Sequence, residues 1–163
     1  MKAALLSTLA PGVSFREISP TDLVTLGIWH YFLHEFSWEW RYTKVVRAID
    51  ELRKADYLFG SFAEDGEKFV GGACINRMAC PDLVDNGQQW LADFVVHPDY
   101  RKSVIAYVQY EACMRFAKSK PERIMMSMEN QDVRRIMPNL GWTVVRESTN
   151  EIGDPTTIIE YVR

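Results

Sequence analysis

Residues 90–118 read WLADFVVHPDYRKSVIAYVQYEACMRFAK, and this stretch predicts a strand, a tight basic turn and a long helix. The strand covers Leu91 to Val96, which is apolar apart from Asp93 and rich in strand-forming residues. Pro98 ends it, because proline lacks a backbone donor and restricts the residue before it. Apolar residues then recur at helical spacing: Ile105, Val108, Ala112 and Phe116. The pattern predicts a buried strand with a helix packed back against it.

The turn between that strand and that helix is basic. Arg101 and Lys102 precede Ser103, whose residue type caps helices by accepting a backbone N–H bond. The first N–H groups of a helix lack intrahelical partners, and the helix dipole favours an anion there. The sequence therefore predicts a phosphate-binding turn. The alternative is a solvated basic turn that merely caps the helix.

Composition places the chain among ordinary globular proteins. Its 163 residues predict one domain over residues 1–163, and its 47% apolar and 25% charged shares are average. The net charge of −3 argues against general nucleic-acid binding, since proteins of that class are usually basic. No run approaches the roughly 18 apolar residues of a membrane-spanning helix, so no membrane association is expected.

Cysteine and histidine spacing predicts neither a disulfide framework nor a metal site. The three cysteines lie far apart and form no C-x-x-C motif: Cys74, Cys80 and Cys113. His30 and His34 share one helix face, but a third metal ligand is not evident. The N-terminal run MKAALLSTLA matches a signal peptide only faintly, because its apolar part is short and it lacks a clear cleavage site. A reducing, cytoplasmic location is therefore expected.

Hydrophobic periodicity and turn residues predict elements in the order β, α, α, β, β, β, α, β, α, β, β. The predicted strands cover residues 13–18, 57–63, 68–78, 91–96, 123–128, 142–147 and 156–162. The predicted helices cover residues 23–40, 42–55, 103–118 and 132–137. Glu64-Asp65-Gly66-Glu67 predicts a hairpin turn, Gly71-Gly72 a bulge or close backbone approach, and Gly141 a helix stop. Hairpins around a central strand–helix–strand unit predict an α/β fold with a mixed sheet covered by helices.

The run V-V-H-P-D-Y-R-K-S-V-I-A over residues 95–106, together with this order of elements, resembles the GNAT superfamily of N-acyltransferases that use acetyl-CoA. A second family signature has its counterpart at five positions: Asn130, Val133, Met137, Gly141 and Trp142. The resemblance covers nearly the whole chain. It implies a mostly antiparallel central sheet of about seven strands flanked by about four helices. It also implies direct transfer of an acetyl group from acetyl-CoA to a small-molecule or peptide amine.

The resemblance assigns cofactor binding to the end of the central strand, the basic turn and the start of the next helix. The residues so assigned are Val95, Val96, Arg101, Lys102, Ser103, Val104, Ile105, Ala106 and Asn130. Two positions depart from the family pattern. Val104 stands where the family has a glycine that lets the backbone approach a phosphate. Met137 stands where the family has a tyrosine that often protonates the departing thiolate, and a thioether cannot donate a proton.

The general base has no direct counterpart in the central strand. Family members with a base there place it on the substrate face, where alternation puts Trp90 and Ala92. Asp93 is adjacent and is expected on the opposite face, unless a bulge re-aims it. Glu129, at the end of the next strand, is then the candidate base, acting through water. The alternative is that Glu129 is an ordinary surface carboxylate.

Acceptor-binding residues are expected mainly on the first helix, because helices in this region wall the acceptor site in the family. The candidates are Trp29, His34, Glu35 and Trp90. The aromatic first helix has two other interpretations, a core helix and an interface with a second copy or a protein partner. An alternative function follows: a catalytically weak or inactive GNAT-like protein with a binding, assembly or structural role, as in a phage or virion.

Overall fold

The computed structural model describes residues 10–36, 45–77, 87–101, 103–128, 131–149, 153 and 155–163. Within them the strands are β1 (Ser14–Glu17), β2 (Tyr57–Ala63), β3 (Lys68–Asn76), β4 (Gln89–Val96), β5 (Ile124–Met128), β6 (Trp142–Thr149) and β7 (Pro155–Tyr161). The α-helices are α1 (Leu23–Phe36), α2 (Val45–Arg53), α3 (Ile105–Lys118) and α4 (Gln131–Ile136). Short 3-10 turns cover Glu64–Gly66, Pro98–Tyr100 and Met137–Leu140.

The seven strands form a single sheet in the order β1-β2-β3-β4-β5-β7-β6. Neighbouring strands are antiparallel except β4 and β5, which are parallel because the α3 crossover joins them. This arrangement confirms the predicted fold class, a mostly antiparallel α/β sheet flanked by helices. None of the helices in the described residues combines the length and the apolar character needed to cross a bilayer.

The first two helices and the first hairpin turn lie where the sequence predicted them. The first helix is described as far as Phe36 and the second from Val45, so the predicted helical residues 37–40 and 42–44 lie outside the described part. The hairpin turn predicted over residues 64–67 joins Ala63 of β2 to Lys68 of β3, and Glu64–Gly66 within it form a 3-10 turn. Glu64 and Asp65 adopt positive φ, at 50° and 58°, as does Gly66 at 91°.

The two faces of the sheet carry separate apolar cores. α3 covers one face, and its core includes Leu91, Tyr110, Met114, Ile124 and Trp142. α1 and α2 cover the opposite face, and its core includes Leu26, Trp29, Leu52, Cys74 and Val95. Because successive strand residues alternate between faces, the apolar central strands supply both cores.

β4 and β5 diverge soon after they begin. Their parallel pairing joins only residues 89–90 of β4 to residues 124–125 of β5. Beyond that point β4 continues to Val96 against β3, while β5 continues to Met128 against β7. The divergence opens a wedge between the two central strands. On the side of the wedge, the later part of β4 has no strand partner among the described residues.

Candidate functional site

A bulge interrupts β4 within the diverging segment. Gly72 pairs with Val95, but Cys74 pairs with Ala92, so two residues of β4 face one residue of β3. Asp93 is one of the two and adopts a φ of 53°, in the left-handed region. Aspartate is among the few residue types that tolerate this conformation. The bulge therefore changes the direction of the side chain at this point of the strand.

The Asp93 carboxylate is held on the sheet face that α1 covers. Cys74 Sγ donates a hydrogen bond to Asp93 Oδ2 at 3.2 Å. Burial, and then the negative charge of Asp93, raise the pKa of the Cys74 thiol, so the thiol keeps the proton that it donates. Trp29 Nε1 donates to the carbonyl oxygen of Asp93 at 3.0 Å. A half-buried carboxylate is thus fixed beside the wedge by contacts from β3 and α1.

Of the two expectations for Asp93, the structure has the one in which a bulge re-aims the side chain onto the face of Ala92. The extra residue in β4 shifts the phase of alternation. Asp93 therefore contacts Cys74, which is the cross-strand partner of Ala92. The predicted bulge or close approach at Gly71-Gly72 is the sequence signal for this region, but the extra residue lies in the partner strand.

Two hydrogen bonds of Ser103, the residue before the α3 N-cap residue Val104, hold the basic turn after β4. Ser103 Oγ accepts a hydrogen bond from the Ile105 N–H at 3.3 Å and donates to the Tyr100 carbonyl at 2.6 Å. Arg101 Nε donates to the Val96 carbonyl at 3.0 Å, which folds the exposed arginine back over the end of β4. The turn, the arginine and the first turn of α3 therefore meet at the mouth of the wedge.

Val104 occupies this turn in an ordinary conformation. Its φ of −76° and ψ of −2° are right-handed, so the position does not require the freedom of glycine. Its half-buried side chain packs against a core cluster of Ala10, Ala63, Val70, Val96 and Ile105. Because the bulk of this valine is directed to the core, valine is compatible with an open turn.

Both tryptophans predicted to bind the acceptor are fully buried. Trp29 supports the bulge through its hydrogen bond to Asp93. Trp90 packs against Met125 and Ile158 on the neighbouring strands. Neither indole lines an open surface, so a role for them in acceptor binding would be indirect.

His34 and Glu35 lie on the exposed C-terminal end of α1. His34 Nδ1 and Glu35 Oε1 are 3.2 Å apart, and the two side chains are 43% and 45% exposed. His30, one turn earlier, is buried, and burial followed by the positive charge of His34 lowers its pKa. Among the described residues, no three His, Cys, Asp or Glu side chains are grouped to hold a metal ion.

The structure describes only some of the remaining predicted site residues. Lys102, Glu129 and Asn130 lie outside the described part of the chain, so their roles stay predictions. Val95 is buried at the end of β4, and Met137 is buried in the core beneath α3.

His97 joins the end of β4 to α1, a contact that the sequence did not indicate. Its ring lies 5.2 Å from the rings of both Phe32 and Phe36, measured between centroids. Its Nδ1 accepts a hydrogen bond from the Asp99 N–H at 3.3 Å. Phe32 and Phe36 of α1 therefore pack against the end of β4, where the basic turn begins.

Comparison with known proteins gives one family and one fold. The model of the acetyltransferase (GNAT) family matches residues 25–142. No curated protein sequence matches the chain significantly. Similar solved structures include a protein from Bordetella pertussis described as a GNAT-family acetyltransferase, with a TM-score of 0.69 and 11% identity over 90% of this chain and 99% of that one.

Two further solved structures share the fold at low identity. Arabidopsis thaliana NAA60, in complex with a bisubstrate analogue, has a TM-score of 0.61 and 14% identity over 91% of this chain and 97% of that one. Aminoglycoside 6'-acetyltransferase type Ii has a TM-score of 0.68 and 14% identity over 91% of this chain and 96% of that one. At these identities the likeness concerns the fold alone.

Proposed function

Because this chain belongs to the GNAT family of acetyltransferases, we propose that it transfers an acetyl group from acetyl-CoA to the amine of a small molecule or peptide. One observation supports this most strongly. The bulge turns the Asp93 carboxylate onto the α1 face, beside the wedge between β4 and β5. A carboxylate positioned there can take the proton that an ammonium group must lose before its nitrogen can attack.

The residues around the wedge fit an extended ligand that ends in phosphates. Acetyl-CoA would supply an acetyl group already activated as a thioester. The wedge side of β4, up to Val96, offers backbone groups for the extended arm of such a ligand. Arg101 and the first N–H groups of α3 offer donors for its pyrophosphate. Ser103 fixes the turn, and Val104 keeps its bulk in the core.

The proposed reaction needs one base. The acceptor nitrogen bonds to the acetyl carbon as the carbon–sulfur bond breaks, and sulfur keeps the electron pair. The ammonium proton passes to Asp93, directly or through one water, and the second proton, which the nitrogen loses as the amide forms, passes to water. Met137 cannot protonate the thiolate, but a thiolate whose thiol has a pKa of about 8.5 takes a proton from water. Glu129 is the alternative base.

A cationic acceptor and a reducing location complete the proposal. Glu35 and Asp93 place negative charge on and beneath α1, which favours a protonated amine. Cys74 and Cys113, the cysteines within the described residues, are buried free thiols, which is compatible with a reducing location.

Replacing Arg101 by alanine is expected to weaken CoA binding by about 10- to 100-fold, the range for one charge-assisted hydrogen bond. Calorimetry with desulfo-CoA measures the affinity without turnover. Arg53→Ala is the matched control, because Arg53 is an exposed arginine on α2 that pairs with Asp50. Equal affinities for the wild type and Arg101→Ala would remove the turn from the cofactor site.

A second candidate function, assembly through α1, has its own supporting observation. Val24, Ile28 and Tyr31 lie on one helix stripe and are 75%, 38% and 56% exposed. Gly27 lies on the same stripe, and a Cβ added to it would meet nothing within 4 Å. Mid-helix glycine is costly, and none of the described residues around Gly27 requires one. An uncharged stripe with a glycine suits close contact with α1 of a second copy.

Replacing Gly27 by alanine separates the two functions. In a monomer the change is expected to stabilise the fold by about 0.5–1 kcal/mol, because alanine favours the helix and meets no neighbour. In an assembly with closely packed α1 helices, the same methyl group would weaken association. Chemical denaturation and analytical ultracentrifugation measure the two effects. A wild type that stays monomeric at high concentration would exclude self-assembly.

A further inference from the structure

A groove lies on the sheet face opposite Asp93, between α3 and the strands β1 and β2. It has a volume of about 640 Å³, which is in the range of small-molecule sites. Its lining residues are Glu17, Tyr57, Phe59, Tyr107, Val108, Glu111, Ala112, Arg115 and Phe116. Tyr57 and Phe59 belong to the face that α3 covers, whereas Asp93 contacts Cys74 in the core beneath α1. The groove is therefore separate from the proposed acetyl-transfer centre.

Three nearly parallel aromatic rings form one wall of the groove. The Tyr57 and Phe116 rings stack with centroids 4.6 Å apart and an interplanar angle of 9°. The Tyr57 and Phe59 rings lie 6.1 Å apart at 16°. The ammonium group of Lys120 already lies 5.5 Å from the Phe116 centroid. The ring faces that are not stacked on each other can attract cations and planar apolar groups.

The charges of the groove are mainly negative. Glu17 and Glu111 contribute two carboxylates, and Arg115 contributes one guanidinium group. Burial, and then the negative charge of Glu17, raise the pKa of Tyr57 to about 12, so the phenol stays neutral and can donate a hydrogen bond. Within the lining, the carboxylates of Glu17 and Glu111 therefore outnumber the single guanidinium group, and the Lys120 ammonium lies beside Phe116 outside the lining.

We propose that this groove binds a monovalent organic cation with a flat apolar body, such as an arylalkyl ammonium. The aromatic wall of Tyr57, Phe59 and Phe116 covers the apolar body, and Glu17 and Glu111 pair with the charged group. An anion of the same shape would meet two carboxylates, and a neutral analogue would gain no charge pairing with either of them. The site needs neither the wedge nor Asp93, so it operates whether or not the chain transfers acetyl groups.

Three probes of one shape test the charge preference: 2-phenylethylammonium, 2-phenylethanol and 3-phenylpropionate. Titration of the full chain, followed by amide NMR shifts, measures affinity and location together. The ammonium probe is expected to bind with a dissociation constant of about 1 mM, a value typical of so small a ligand. The neutral probe should bind at least about fivefold more weakly, and the anionic probe more weakly still. Shifts should centre on Tyr57, Glu111 and Phe116.

Charge-removing variants locate the site. Glu17→Gln with Glu111→Gln is expected to weaken binding of 2-phenylethylammonium by at least about tenfold. Glu67→Gln, which removes an exposed carboxylate on the β2–β3 turn, should leave it unchanged. Because an amine can also enter the acceptor site, Asp93→Asn is the second control, and it should leave the groove shifts intact. Equal binding of the three probes, no saturable binding, or shifts that centre on Asp93 would each overturn the assignment.

Discussion

Replacing Asp93 by asparagine is expected to lower kcat/KM for acetyl transfer by about 10²–10⁴-fold, the usual contribution of a positioned general base. Asparagine has nearly the same shape, tolerates the φ of 53° at this position and can still accept the hydrogen bond from Cys74 Sγ. The fold and the bulge should therefore survive the change. Thermal denaturation checks the fold, and initial rates with acetyl-CoA and a panel of amines check the activity.

The pH dependence of this defect distinguishes a base from a structural residue. A primary amine loses its own proton near pH 10, so the need for a base disappears as the pH approaches that value. The rate of Asp93→Asn should then approach that of the wild type. A defect of the same size at every pH would indicate that Asp93 only shapes the site. If Asp93→Asn keeps the wild-type rate at pH 7, Asp93 is not the base and Glu129 becomes the candidate. The variant Glu129→Gln then tests Glu129.

Replacing Gly72 by alanine is expected to reduce the free energy of unfolding by about 1–3 kcal/mol, the usual cost of overpacking a core. A Cβ at position 72 would lie 2.7 Å from two atoms of the Trp29 indole, which is fully buried. The indole must therefore move. Because its Nε1 holds the Asp93 carbonyl, the same movement should loosen the bulge and lower kcat. Chemical denaturation and initial rates measure the two losses.

A double-mutant cycle with Trp29→Phe tests the cause of this destabilisation. Phenylalanine lacks the outer part of the indole that the new Cβ would meet, and it also lacks the donor to Asp93. The double variant is expected to be more stable than the sum of the single effects predicts, by about 0.5–3 kcal/mol. Strictly additive effects would show that Trp29 is not the residue that alanine at position 72 displaces.

The sequence predicted most of the architecture because its local signals agree with each other. The apolar run before Pro98 predicted β4, and the helical spacing from Ile105 predicted α3. Gly141, which adopts a φ of 89°, ends the last helical segment where the sequence placed its stop. At position 104 the sequence showed a valine where the family has glycine. Only the structure shows that the side chain of Val104 packs into the core.

By itself, then, the sequence determined the order of strands and helices and the basic turn, since periodicity and turn chemistry are local properties. It predicted the buried face of α3 only in part: Ile105 and Val108 are buried, but Ala112 and Phe116 are half-buried and line the groove. Only the tertiary structure decided where Asp93 points. A single extra residue in β4 reverses the alternation, and whether that residue is accommodated depends on Gly72, Cys74 and Trp29, which come from another strand and a helix. The groove behind α3 has the same origin, because its aromatic wall joins β2 to α3, whose residues are far apart in the chain.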